Sequence, residues 1–80
     1  MQISAQISLY PLRQERLSPV IEEAWKILEE NELDVEKGAM STLVSGEADK
    51  VFGAIKDVFL RSAEKGPVSM VGTFSNACPM

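Results

Sequence analysis

The sequence contains no histidine and only one cysteine, Cys78. Histidine is the commonest general base and the commonest metal ligand, so its absence argues against the usual hydrolytic mechanisms and against a metal site. A single cysteine excludes a disulfide within the chain. No cationic residue adjoins Cys78 to make its thiol reactive, and we interpret it as a structural or incidental residue. These absences predict a protein that is not an enzyme.

Long hydrophobic runs and clusters of basic residues are also missing. No stretch approaches the roughly 20 apolar residues that a membrane-spanning helix needs. Met1 to Pro11 lacks the cationic start and continuous apolar run of a signal peptide. The net charge is −4, and the eight basic residues are scattered, which argues against nucleic acid as a partner. We therefore expect a cytoplasmic protein that binds neither membranes nor nucleic acid.

Charged residues are confined to two blocks, 13–37 and 47–65, and are absent from residues 1–12, 38–46 and 66–80. In the charge-free stretches apolar residues alternate with Ser, Thr and Gln, which is typical of half-buried strands. The acidic run at residues 29–36 predicts a solvated surface, where metal binding would be weak. We therefore expect strands in the neutral stretches and helices in the charged blocks.

The two charged blocks predict helices at about 18–32 and from Glu47 or Asp49 to about residue 65. Ser18 is a suitable N-cap, and Pro19 suits the first helical position, where a missing N–H costs nothing. Gly66 and Pro67 supply a stop signal for the second helix. Residues 33–37 and 38–45 predict the second and third strands, with Gly38 in a turn or bulge between them.

The element order βαββαβ predicts a single α+β domain, residues 1–80, with a ferredoxin-like fold: a four-stranded antiparallel sheet with two helices on one face. The other face is then bare. Because strand side chains alternate sides, the bare face should carry Gln2, Ser4, Gln6, Ser8, Tyr10, Ser69, Val71, Thr73 and Ser75. Val68, Met70 and Phe74 should point towards the helices. A polar but uncharged sheet face indicates contact with another subunit or a small ligand.

Three segments, Ala5–Leu12, Gly46-Glu47 at the expected close of the central hairpin, and Gly72–Pro79, resemble the thiamine-binding family of small YkoF-like proteins. The resemblance covers nearly the whole chain. It implies a ferredoxin-like fold and association into homodimers or homotetramers through the sheets. It also implies binding of thiamine, or of its hydroxymethylpyrimidine (HMP) moiety, without chemical change and without a further cofactor.

An aminopyrimidine ring needs amide and hydroxyl partners beside an apolar or aromatic surface. With the ligand on the bare sheet face, completed by a second subunit, this requirement predicts the ligand-binding residues Gln6, Ser8, Tyr10, Thr42, Thr73, Ser75 and Asn76. Phe74 joins this set as an aromatic ring for the cationic part of thiamine. The thiazolium cation of thiamine would meet the ring of Tyr10 or Phe74, or a carboxylate such as Glu36 or Glu47. We interpret Trp25 as a core or interface residue.

Three alternatives use the same fold. An ACT-like regulatory module would bind an amino acid, but it would show a glycine-rich turn where this chain has Arg13-Gln14-Glu15-Arg16. A structural oligomerisation domain would explain the neutral sheet face without any ligand. An acylphosphatase-like enzyme would need a glycine loop that binds phosphate, and the sequence after the first strand contains none. Fold alone does not choose among them.

Overall fold

The computed structural model describes residues 1–12, 18–38 and 41–77. Four strands form one antiparallel sheet in the spatial order β2-β3-β1-β4, and two helices complete the order βαββαβ. The elements are β1 (Gln2–Pro11), α1 (Ser18–Glu30), β2 (Asp34–Lys37), β3 (Thr42–Glu47), α2 (Ala48–Glu64) and β4 (Val68–Ser75). The predicted α+β, ferredoxin-like architecture is confirmed. Cys78, the segment Arg13–Arg16 and the capping side chain of Ser18 lie outside the described residues.

The first helix ends earlier than predicted, at Glu30 rather than Glu32. Asn31 donates from Nδ2 to the carbonyl oxygen of Ile27 at 2.7 Å, and Glu32 adopts a left-handed φ of 59°. A left-handed residue just after the last turn is a common way to end a helix. The chain then enters β2 through the buried Leu33.

A backbone hydrogen bond joins Gly38, after β2, to Ser41, before β3. The Gly38 N–H donates to the Ser41 carbonyl oxygen at 2.9 Å, and a Cβ at Gly38 would lie only 2.7 Å from that oxygen. The turn therefore requires glycine. The expectation that Gly46-Glu47 closes the hairpin is wrong, because these residues end β3 and lead directly into α2.

The register separates the side chains of the sheet onto two faces. Ile7 of β1 lies opposite Thr42 on one side and Gly72 on the other. Since directly opposed residues share a face, Thr42 points to the helix side together with Ile7. Phe74, opposite the buried Ala5, lies on the same side, as predicted. Placing Thr42 on the bare face was therefore wrong, because the position of the hairpin turn decides the register of β3.

The core lies between the helices and the sheet. The largest fully buried side chains are Leu28, Val44, Val51 and Val58. Phe52 of α2 is half-exposed at 52% and stacks on Phe74, with ring centroids 4.7 Å apart. Neither helix of the described chain is long and apolar enough to cross a lipid bilayer.

An ion pair connects the two helices near the end of α2. Glu23 of α1 accepts a hydrogen bond from Lys65 and lies 4.0 Å from Arg61. The bond from Lys65, and then the positive charge around it, holds the pKa of the Glu23 carboxyl below its usual value of 4.5. The pair therefore contributes stability at neutral pH, which is lost as the pH falls through that lowered pKa. Because both side chains of the pair are partly exposed to solvent, its contribution is small.

Candidate ligand-binding cavity

A cavity of about 420 Å³ lies between α1 and the sheet. This volume is within the range of small-molecule sites, which are usually apolar with a few polar groups. Its apolar and aromatic lining consists of Ile7, Leu9, Tyr10, Ile21, Ala24, Trp25, Leu28 and Val58. The remaining lining residues are Ser8, Glu22, Gly38, Ser41 and Thr42. Among the described lining residues, Glu22 alone carries a charge.

Helical periodicity brings one side of α1 to the cavity. Ile21, Ala24, Trp25 and Leu28 recur at the spacing that puts side chains on one helix face, and all four line the cavity. Ala24 is a small residue between larger ones, so the helix face is recessed there. Ile7 of β1 and Thr42 of β3, which oppose each other in the sheet, line the same cavity.

Trp25 is the aromatic side chain at this wall. Its Nε1–H donates to the Thr42 hydroxyl oxygen at 3.0 Å. The ammonium of Lys37 lies 5.1 Å from the centre of the Trp25 ring, within the range of a cation–π contact. Lys37 also pairs with Glu29 at 3.4 Å. The indole ring is thus held from both β2 and β3.

Three of the predicted ligand-binding residues, Ser8, Tyr10 and Thr42, line the cavity. Tyr10 is 46% exposed and Thr42 is buried, so the two differ in their contact with solvent. These residues come from the end of β1 and the start of β3, which are neighbouring strands. Whether they bind a ligand remains a prediction.

The other predicted residues lie away from the cavity lining. Gln6 donates to the Ser41 hydroxyl at 3.2 Å and lies opposite Thr73 on the bare sheet face. Phe74 stacks on Phe52 on the helix side. At the end of β4, the Ser75 hydroxyl accepts from the Ala77 N–H at 3.1 Å, and Asn76 is exposed. The predicted set is therefore divided between two faces of the sheet.

The prediction missed Ile21, Leu9 and, above all, Trp25 as lining residues. A large apolar residue on the inner face of a helix is usually part of the core, and nothing local marks it as the wall of a cavity. One signal was available: Trp25 is the only tryptophan, and its N–H requires a polar partner when buried.

The bare sheet face is largely neutral over β1, β3 and β4, with Glu47 at the end of β3 as its charge there, and it is acidic along β2. The register puts Gln6, Leu43 and Thr73 on this face, with Val71 60% exposed beside them. On β2, Asp34 and Glu36 lie opposite Ser45 and Leu43, and therefore share the face. Among the described residues, no three acidic, cysteine or histidine side chains gather as they would around a metal ion.

Comparisons with known proteins give one family. The profile of the YKOF-related family matches residues 2–80. A Bacillus subtilis protein named for HMP/thiamine binding, YkoF, is 36% identical over 73 residues, which cover 90% of this chain and 36% of that protein. The chain thus spans little more than a third of that relative.

Solved structures agree on the fold. A hypothetical protein from Methanocaldococcus jannascii superposes with a TM-score of 0.88 at 21% identity, covering 99% of this chain and 84% of that one. A Thermotoga maritima protein named for thiamine biosynthesis or salvage gives a TM-score of 0.82 at 18% identity, covering 94% and 83%. At these identities the likeness extends to the fold alone.

Proposed function

The chain belongs to the YKOF-related family, and we propose that it is a non-catalytic binding protein for thiamine or its HMP moiety. The observation that carries the proposal is the cavity of about 420 Å³ with its largely apolar, aromatic lining. The name of the Bacillus subtilis relative supports this ligand class.

The cavity has the chemistry that a flat heteroaromatic ring requires. Such a ring gains affinity from burial against apolar and aromatic side chains, and its edge needs a few hydrogen-bonding groups. Trp25 and the aliphatic lining supply the first, and the hydroxyl of Thr42, which lies on the helix side of the sheet with Ile7, supplies the second. Glu22 gives the cavity a negative charge that suits the thiazolium cation of thiamine. We therefore place the ligand here and not on the bare sheet face.

Isothermal titration calorimetry tests the proposed function. The full chain is unfolded and refolded to remove any ligand that co-purifies, and is then titrated with thiamine, HMP and thiamine diphosphate. We expect saturable binding of at least one compound, with a Kd in the micromolar range or tighter and one site per chain. Absence of heat with all three, or saturable binding of an amino acid in their place, would overturn the proposal.

We further propose that the bare sheet face joins copies of this chain into a homodimer or homotetramer. Over β1, β3 and β4 the only charged residue that the register puts on this face is Glu47, at the end of β3, whereas solvated sheet faces usually carry more charges. The face exposes Val71 and leaves Leu43 half-buried. Burial of this face would contribute about 25 cal/mol per Å² of apolar area, which matters for a domain of this size. The Bacillus subtilis relative is long enough to hold a second unit of this size within one chain.

Light scattering at micromolar concentration tests the association. We expect the wild type to show the mass of a dimer or tetramer. Val71→Lys should reduce the mass towards that of the monomer, because the substitution puts like charges into the shared face. Leu60→Lys, at an exposed position of α2, is the matched control and should leave the mass unchanged. A monomeric wild type would contradict the proposed interface.

A further inference from the structure

The Trp25 ring is oriented at the cavity wall by its hydrogen bond to Thr42. The bond measures 3.0 Å and joins the middle of α1 to the first residue of β3. Trp25 is half-buried, and Thr42 is only 9% exposed. Because both residues line the cavity, the bond connects an aromatic surface and a hydroxyl group that a ligand can contact at the same time.

The Thr42 hydroxyl can act as a hydrogen-bond donor towards a ligand in the cavity. An indole N–H is a donor only, whereas a threonine hydroxyl has one hydrogen to donate and two acceptor positions. The bond from Trp25 occupies one acceptor position of Thr42 Oγ1. The hydroxyl hydrogen is not committed by that bond and can be donated to an acceptor in the cavity. A ring nitrogen of a pyrimidine is such an acceptor.

The positive charge of Lys37 near Trp25 favours a ligand whose stacked ring is uncharged. The Lys37 ammonium lies over the indole at 5.1 Å from its centre, yet Lys37 is not among the residues that line the cavity. The cation therefore approaches the indole from outside the cavity. A second cation stacked on the ring from the cavity side would be repelled by Lys37, whereas a neutral ring would not. Glu22, which also lines the cavity, is the group that suits a cation.

We propose that Trp25 and Thr42 together recognise an uncharged nitrogen heterocycle, which stacks on the indole and accepts a hydrogen bond from the Thr42 hydroxyl. This inference rests on the proposed function and makes it more specific. In thiamine, the aminopyrimidine would lie on Trp25 and the thiazolium would lie towards Glu22. Thr42 is then a specificity-determining residue, and Trp25 is both the stacking surface and the group that orients the hydroxyl.

The test pairs two ligands with matched variants of the full chain. The ligands are HMP and an analogue in which both ring nitrogens are replaced by C–H. The wild type should bind HMP about tenfold more tightly than the analogue, the value of one hydrogen bond. Thr42→Val should weaken HMP binding about tenfold more than it weakens binding of the analogue, because both ligands lose the bond that orients Trp25 but only HMP loses a hydrogen bond of its own. Thr42→Ser, which keeps the hydroxyl, should preserve the discrimination.

Substitutions of Trp25 and its fluorescence test whether the ligand ring stacks on the indole. Trp25→Leu should weaken both ligands about tenfold, whereas Trp25→Phe, which keeps an aromatic ring, should weaken them less. HMP should also quench the fluorescence of Trp25, the only tryptophan in the chain. Thermal unfolding of each variant shows whether it is folded at the assay temperature.

The outcomes separate this inference from the proposed function. Wild-type protein that binds HMP and the analogue equally well would overturn the inference and leave the proposed function intact. Equal weakening of both ligands by Thr42→Val would do the same, since it would show a merely structural role for the hydroxyl. Wild-type protein that binds neither of these compounds and does not bind thiamine or thiamine diphosphate would overturn both.

Lys37→Met tests the preference for an uncharged ring. The probe is the N-methylated, cationic form of HMP. Removal of the Lys37 charge should raise the affinity for this cation by about threefold, because Lys37 is partly exposed and its field is screened. The affinity for HMP itself should change by less than about twofold. An unchanged ratio between the two affinities would overturn the preference for a neutral ring.

Discussion

Replacement of Leu28 by alanine is expected to lower the free energy of unfolding by about 2–5 kcal/mol. Leu28 is fully buried on α1, and the substitution removes apolar contacts and leaves a void that the packed surroundings fill only in part. A domain of 80 residues has a total stability of about 4–12 kcal/mol. The substitution therefore removes a large part of the stability and, at the upper limit, unfolds the protein.

Urea denaturation followed by circular dichroism measures this effect. Leu60→Ala is the matched control, because it removes the same atoms from a helical leucine that is 51% exposed, and it should change the stability by less than about 0.5 kcal/mol. Both variants must be compared at one protein concentration, since self-association adds to apparent stability. Similar losses for the two variants would mean that Leu28 does not lie in the core described above.

Replacement of Ile21 by tryptophan should abolish or severely weaken ligand binding by occupying the cavity. Ile21 is half-buried, lines the cavity and lies one turn before Trp25 on the same helix face. A second indole at this position would fill space that the ligand needs, and we expect the affinity for HMP to fall by more than about 30-fold, or about 2 kcal/mol. Because the position is partly open to solvent, the fold should tolerate the larger side chain better than at a fully buried position.

Thr73→Leu is the matched control for the location of the site. It enlarges an exposed side chain of β4 on the opposite face of the sheet, and it should leave the affinity for HMP within about twofold of the wild type. The reverse result, with binding lost in Thr73→Leu and retained in Ile21→Trp, would place the ligand on the bare sheet face with Gln6 and Thr73. Calorimetry on both variants, after their folding is checked, distinguishes the two locations.

Local patterns predicted most of the fold. The neutral stretch at residues 66–80 predicts a strand, and the structure has β4 within it at Val68–Ser75, because alternation with a period of two needs only the sequence of the strand itself. The stop signal at Gly66 and Pro67 predicts that the second helix ends at about residue 65, and α2 ends at Glu64. The same alternation predicts Phe74 on the helix side of the sheet, and the structure confirms this position. The order of elements then allowed few topologies.

The sequence by itself thus determined the six elements, the single sheet with one covered face, and the family. Tertiary structure alone decided the cavity. The turn at Gly38 and Ser41 fixes the register of β3, and a shift of one residue would have turned Thr42 to the other face of the sheet. Trp25 and Thr42 are 17 positions apart and belong to elements that meet only when α1 packs on the sheet. Periodicity along the chain reports which face of each element is covered, whereas a cavity depends on how two covered faces fail to fill the space between them.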